Sequence, residues 1–170
     1  GIQSEGTAAC VKHFAANSQE TNRNANDSRV SQRALRELYL RNFELAVRIS
    51  NPWTVMTAYN SINGKPTCED ISLTETVLRG EWNYKGLVVS DWNAGSNATA
   101  SMVAGNDMMQ PGQDKQYHEL LANAKNGRLP MAVLDRNVKR ILQFIVKCHN
   151  FNNYTYSNEP DLKQHAADDR

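Results

Sequence analysis

Three places in the chain set reactive side chains directly after short apolar runs. Lys12-His13 sit near the end of Ala8–Phe14, Tyr59-Asn60 end the run that begins at Thr54, and Asp91-Trp92 end Gly86–Asp91. A carboxylate, an ammonium, an imidazole and two aromatics suit one kind of ligand if they meet on one rim. Aromatic faces stack on the C–H surfaces of a pyranose, and the charged groups hydrogen-bond its hydroxyls. A carboxylate beside an anomeric carbon is also a competent nucleophile. Taken singly, an Asp at a strand end is more often a turn or helix cap. Lys12-His13 alone could be a partly buried pair, and Tyr59 and Trp92 could be packing residues.

The elements between these runs decide whether they meet. Ala8–Phe14 reads as a buried strand, followed by a polar loop over 15–27. Ser28 or Ser31 then caps a long helix carrying Ala34, Leu35, Leu38, Phe43 and Val47, which Asn51-Pro52 ends. A second strand runs from Thr54 to Tyr59, with turn residues over 60–68 punctuated by Asn63-Gly64 and Pro66. A helix covers about 72–82, and Gly86–Asp91 is the clearest strand. A short helix over 98–104 precedes a fourth short strand at Asp107–Gln110. Helices over 116–125 and 131–148 follow, the second amphipathic through Val133, Leu134, Val138, Ile141, Leu142 and Ile145. From Asn150 onward the chain is polar.

Strict alternation of strand and helix with crossover-length connections implies a parallel sheet covered by helices, an α/β fold. The C-terminal ends of parallel strands share one rim, where ligands bind, so the three reactive dipeptides converge there. Four βα units equal half of an eightfold barrel. A complete (β/α)8 barrel takes about 250 residues, more than the 170 present.

Composition narrows the function. With 40% apolar and 22% charged residues and a net charge of +1, the chain has the make-up of an ordinary globular domain. No basic run suits nucleic acid, and no apolar stretch approaches the ~20 residues of a membrane helix. Cys10, Cys68 and Cys148 form neither a disulfide framework nor a metal motif and are expected to be buried thiols. His118, His149 and His165 fall on a helix or in the tail and are assigned no chemistry. Sequons at Asn26, Asn97 and Asn153 lean toward a secreted or periplasmic parent, but its location stays open.

The motifs then become specific. The stretch from Val11 to Arg23 (VKHFAANSQETNR), Met56-Thr57-Ala58-Tyr59-Asn60, Asn63-Gly64-Lys65-Pro66 and Gly86-Leu87-Val88-Val89-Ser90-Asp91-Trp92 resemble glycoside hydrolase family 3 in order and spacing. So does the helix segment Leu35–Leu40, and the likeness runs from about Gly6 to Phe144. It implies the second half of a (β/α)8 barrel over 1–149, with 150–170 a polar tail or the start of a linker. It also implies retaining hydrolysis of terminal, non-reducing β-D-glycosidic bonds through a covalent glycosyl-Asp intermediate.

Carried over residue by residue, the resemblance makes Asp91 the nucleophile and Lys12 and His13 sugar-binding. Tyr59 stands beside the nucleophile, Met56 and Trp92 line the pocket, and Glu20 and Arg23 brace the loop as an ion pair. No metal or organic cofactor is implied. One branch of the family places a Gly-His-Gly loop after Lys-His-Phe, where this chain has Ala15-Ala16-Asn17. It therefore groups with the glucosidase/xylosidase branch, whose acid/base Glu comes from a separate downstream domain. The partners implied are an oligosaccharide or β-glucoside substrate, the absent barrel half and the acid/base domain. Two rivals stand beside this reading. One is a non-catalytic half-barrel that binds sugar or pairs with another chain, including a homodimer, through open sheet edges. The other is a barrel aldolase using Lys12 as a Schiff base, although the Gly-rich phosphate loop common in such enzymes is missing.

Overall fold

A computed structural model describes residues 1–148. The tail at 150–170, His149, His165 and the Asn153 sequon lie outside the described residues. The main sheet holds β1 (Cys10–Phe14), β3 (Thr54–Thr57) and β6 (Leu87–Val89), parallel and in the order β1-β3-β6. Cys10 pairs with Thr54 and Thr54 with Leu87, while Val11, Val55 and Val88 form the next row. That second row faces the helices. Val55 and Val88 are buried with Phe14, Leu35, Phe43, Val47, Leu73, Val77 and Trp82, and Val11 packs against them. Burying each large apolar side chain contributes about 1.5–3 kcal/mol, so this layer fixes the register.

The helix before β3 spans 32–50. Ser31 caps it, its hydroxyl accepting from Ala34 N–H at 3.2 Å, whereas Ser28 belongs to a strand. One-turn α segments, α1 (Gln32–Ala34) and α2 (Arg41–Leu45), alternate with wider turns in which Leu40 N–H reaches Leu35 C=O at 2.9 Å. Asn51, left-handed at φ 44°, ends it before Pro52. A second wide-wound helix, Ser72–Glu81, leads into β6. After β6 come α3 (Ala98–Ala104), capped by the Asn97 side chain and ended by Gly105, then α4 (Asp114–Lys125) and α5 (Met131–Lys147).

Four sequence expectations need correction. The fourth strand is a single bridge, Val89 to Met108. Beyond it the Gln110 N–H goes to the Ser90 hydroxyl at 2.8 Å instead of a strand carbonyl, so the ladder stops. The segments taken as loops over 15–27 and 60–68 contribute a second small sheet, ordered β2 (Asp27–Ser28), β4 (Ser61–Ile62) and β5 (Lys65–Pro66). Its hairpin is the two-residue Asn63-Gly64, with φ 50° and 88°, the turn that Asn-Gly favours because both residues take positive φ.

Cys10 is exposed and Cys148 half-buried; only Cys68 is fully buried. The strand pleat explains Cys10: with Val11 turned toward the helices, Cys10 points to the opposite face of an edge strand. Finally, α5 does not bury its apolar stripe. Asn137 is its only fully buried residue, while Val138, Leu142, Ile145 and Val146 are exposed. The helix docks through polar groups instead, with Asn137 Nδ2 donating to Met102 O and Asn106 O at 3.3 and 3.1 Å.

Candidate active site

Asp91 lies two residues beyond β6, where the chain leaves the sheet, and is 8% exposed. Its two oxygens differ. Oδ1 accepts the N–H of Trp92 at 2.7 Å, which fixes the plane of the carboxylate. Oδ2 is buried without a hydrogen-bond partner, and the nearest basic side chain is His13, its Nε2 at 3.4 Å. An unpartnered buried carboxylate oxygen is costly and calls for an explanation. The side-chain contact joins β1 to the loop after β6 across the intervening β3.

His13 is half-buried, on β1. Lys12, also on β1, is exposed and forms no ion pair among the described residues. The Lys12–His13 and Phe14–Ala15 peptides are cis. Met56 is half-buried on the central strand, paired with Val89. Tyr59 follows β3 and is half-buried. Its hydroxyl titrates above the ordinary phenol value, through burial first and then through the negative Asp91 beside it. Trp92 is 57% exposed, an apolar plate next to the carboxylate. Glu20 and Arg23 pair at 2.6 Å, with the Arg23 guanidinium 4.3 Å from the Tyr59 ring centroid. The structure thus brings His13, Tyr59, Arg23 and Asp91 together; Trp92 meets the carboxylate through its backbone N–H, and Lys12 and Met56 form no hydrogen bond or ion pair with it among the described residues. His118 lies on α4 against Tyr117, apart from these residues.

Three further residues hold this arrangement: Asn60, which the sequence places only at a strand end, and Asn106 and Glu69, which it does not single out. Asn60 is fully buried, and its Nδ2 lies 3.2 and 3.3 Å from the carbonyls of Ala15 and Ala16, tying the end of β1 to the end of β3. Asn106, also fully buried, accepts from the Thr57 hydroxyl at 2.9 Å and donates to Cys68 O. Glu69 accepts from the N–H groups of Ser96 and Asn97 at 2.7 and 2.9 Å, which anchors the loop after Trp92. The one available signal was position: Asn60 sits beside Tyr59 at a strand end.

Gly95 in that loop has φ 78°, and a Cβ there would stand 2.6 Å from Cys68 Sγ and 2.9 Å from Glu69 Oε1. Gly95→Ala is therefore expected to cost about 1–3 kcal/mol, combining positive-φ strain with overpacking. Urea unfolding checks it, and a loss under about 0.5 kcal/mol would show that the loop relaxes freely.

Among the described residues no group of three or more His, Cys, Asp or Glu side chains is placed to hold a metal ion. No helix there is long and apolar enough to cross a membrane.

A parallel α/β sheet that presents a half-bare carboxylate beside an imidazole and a phenol defines the class: an α/β protein organised around a carboxylate centre. Residues 1–144 match the glycosyl hydrolase family 3 N-terminal domain, and the chain belongs to that family. It is 43% identical over 167 residues to beta-glucosidase B of Emericella nidulans, covering 96% of this chain and 20% of that protein. An exo-alpha-(1->6)-L-arabinopyranosidase of Bifidobacterium breve is 40% identical over 147 residues, covering 86% of this chain and 19% of that one. Beta-glucosidase 3B of Thermotoga neapolitana, solved with alpha-D-glucose, superposes with a TM-score of 0.89 at 48% identity, over 98% of this chain and 24% of that one. The chain thus spans about a fifth of the length of the curated relatives it matches.

Proposed function

We propose that the chain forms the nucleophile-bearing half of a retaining β-glucosidase barrel, with Asp91 as the attacking carboxylate. The observation that carries this is the bare, buried Oδ2 of Asp91 next to His13, with Oδ1 fixed by the Trp92 N–H. That is the geometry a nucleophile needs: a carboxylate held in one plane, with a free lone pair.

In the first half of the reaction Oδ2 forms a bond to the anomeric carbon as the glycosidic C–O bond breaks. The leaving oxygen takes a proton from a general acid, the role the family gives to a Glu of a downstream domain. In the second half water attacks the glycosyl ester, that acid/base accepts its proton, and the sugar departs with its configuration retained. Lys12 and His13 grip sugar hydroxyls, Tyr59 stabilises the charge on the nucleophile, and Met56 and Trp92 flank the sugar and its leaving group.

The half-barrel fits three strands with Met108 marking a fourth position, an exposed Cys10 on an edge strand, and an uncovered apolar stripe on α5. We assign this segment to residues 1–149, of which 1–148 are described. Because similar segments occur in proteins named for β-glucoside and for arabinopyranoside hydrolysis, the contacts that select the sugar come partly from outside it.

A second reading is a scaffold without chemistry, completed by another copy of the chain. It is favoured by the open β1 edge and the α5 stripe, both of which invite association.

One experiment separates these readings. A 2-deoxy-2-fluoro-β-glucoside with a dinitrophenolate leaving group needs no acid catalyst. The expected result is one added glycosyl mass, mapped to Asp91 and absent from Asp91→Asn. A folded sample that takes no label overturns the nucleophile reading for this chain. The native mass of the same sample, monomer or dimer, then decides whether the scaffold reading includes self-assembly.

A further inference from the structure

Arg23 pairs with Glu20 in its own loop and also reaches a residue outside it. The loop turns at Asn22 (φ 57°), and Arg23 N–H closes on Glu20 O at 3.2 Å, which turns both side chains to one side. Glu20 is held by Asn17 Nδ2 at 3.1 Å and grips the Arg23 guanidinium at 2.6 Å. The guanidinium then lies over the Tyr59 ring, 4.3 Å from its centroid. A loop brace would need only the ion pair. Placing the cation on an aromatic face adds a contact that depends on the planarity of both groups.

Tyr59 needs such a contact. It lies past the end of β3, so no strand ladder holds it, and a half-buried ring there has rotamer freedom. Asn60 next to it is locked by backbone carbonyls of the neighbouring loop, contacts that do not involve the Tyr59 side chain. The ring is where the Glu20–Arg23 pair meets the group beside Asp91.

We infer that Arg23 is a positioning residue which, held by Glu20 and stacked on the Tyr59 ring, fixes the phenol hydroxyl against the Asp91 carboxylate. This rests on Asp91 and Tyr59 forming the reacting centre. The contact itself can be tested without any sugar.

The charged groups facing Tyr59 are Asp91 and Glu20, which push its titration up, and Arg23, which pulls it down; burial is the largest influence. If Arg23 were only a nearby charge, its removal and that of Asp91 would shift Tyr59 independently. A positioning residue makes the two effects depend on each other.

The chain is prepared with 3-fluorotyrosine, which lowers phenol titration into a range where the fold holds, and the Tyr59 fluorine signal is assigned with Tyr59→Phe. Titrations are compared for the parent, Arg23→Gln, Asp91→Asn and the double variant, each confirmed folded by its amide spectrum. In the parent, Asp91→Asn is expected to move Tyr59 down. In the Arg23→Gln background most of that shift is expected to vanish, because the hydroxyl no longer points at residue 91. Arg23→Lys, which keeps the charge and loses the plane, is expected to behave like Arg23→Gln. Additive shifts, or a Lys variant that behaves like the parent, would overturn the assignment. Asp91 labelling by the fluoroglucoside is measured separately, so failure here leaves the nucleophile reading standing, and the reverse also holds.

Discussion

Asp107→Ala is expected to cost about 3–5 kcal/mol of folding stability, the usual penalty for removing one partner of a buried ion pair. Asp107 is 1% exposed. Its Oδ2 accepts from Arg79 Nη2 at 2.6 Å and from the Val88 N–H at 2.9 Å, and its Oδ1 from Arg140 Nη1 at 3.1 Å. Arg79 also donates to Gly86 O at 3.0 Å, so one carboxylate joins the 72–81 helix, β6 and α5. Burial pushes the Asp107 carboxyl up and the Arg79 guanidinium down, and the pair itself opposes both shifts. Without Asp107, three guanidiniums share Glu75, which lies 3.1 Å from Arg140, 3.5 Å from Arg136 and 3.7 Å from Arg79.

Asp107→Asn keeps an acceptor for Val88 N–H and should lose less than the alanine variant. Arg79→Met combined with Asp107→Leu removes the tightest pair together and should recover a good part of the loss, because no tightly buried charge is left behind. Urea unfolding at neutral pH measures all three. An alanine variant within about 1 kcal/mol of the parent would mean that water or Glu75 already neutralises the arginines.

That cluster also shows where a sequence stops being legible. Asp107 read as the first residue of a strand, because Asp107-Met108-Met109-Gln110 is a polar residue followed by apolar ones before Pro111. Its carboxylate is instead a tertiary group whose partners come from positions 79, 88 and 140, and no local pattern encodes them. The strands that did read correctly, β1, β3 and β6, are the ones that each bury an apolar residue, Phe14, Val55 and Val88, against the helices. Hydrophobic periodicity reports burial, and there burial and pairing coincide. The second sheet escaped because its strands are two residues long. The Asn63-Gly64 turn inside it was visible as punctuation, yet a turn needs flanking apolar runs to declare a hairpin, and Ser61-Ile62 and Lys65-Pro66 supply almost none.

The candidate site divides the same way. Asp91, His13 and Tyr59 were readable because strand ends in a parallel sheet share one rim, so position alone implied proximity. Asn60, Asn106 and Asn137 were not. An isolated Asn ordinarily marks a turn, and only the fold shows that these three amides are fully buried clasps between neighbouring segments, Asn137 from within α5. The α5 stripe erred in the opposite direction: the periodicity was real, but its apolar face is exposed and the helix is docked by Asn137 and by Arg140. Amphipathicity states that a face seeks cover, not that the described chain provides it.

Phe14→Ala should match the loss at Asp107, at about 3–5 kcal/mol, by a wholly apolar route. Phe14 is fully buried, with its ring edge-on to Phe43 at 5.2 Å and to Trp82 at 6.0 Å. These partners belong to the two helices that cover the sheet, so the ring pins both onto the end of β1. Its carbonyl also accepts the Ala58 N–H at 2.9 Å, next to Tyr59. Truncation opens a cavity under the residue that follows His13, so stability and site geometry should fail together. Phe14→Leu refills most of the volume without the edge-on contacts and should lose less than half as much. Urea unfolding gives the first quantity, and the rate of fluoroglucoside labelling at Asp91, measured well below each variant's unfolding midpoint, gives the second. If labelling tracked only the folded fraction, Phe14 would support the core alone. A slower rate per folded molecule would show that this ring sets where His13 meets Asp91, which makes the packing of β1 part of how the carboxylate is held ready.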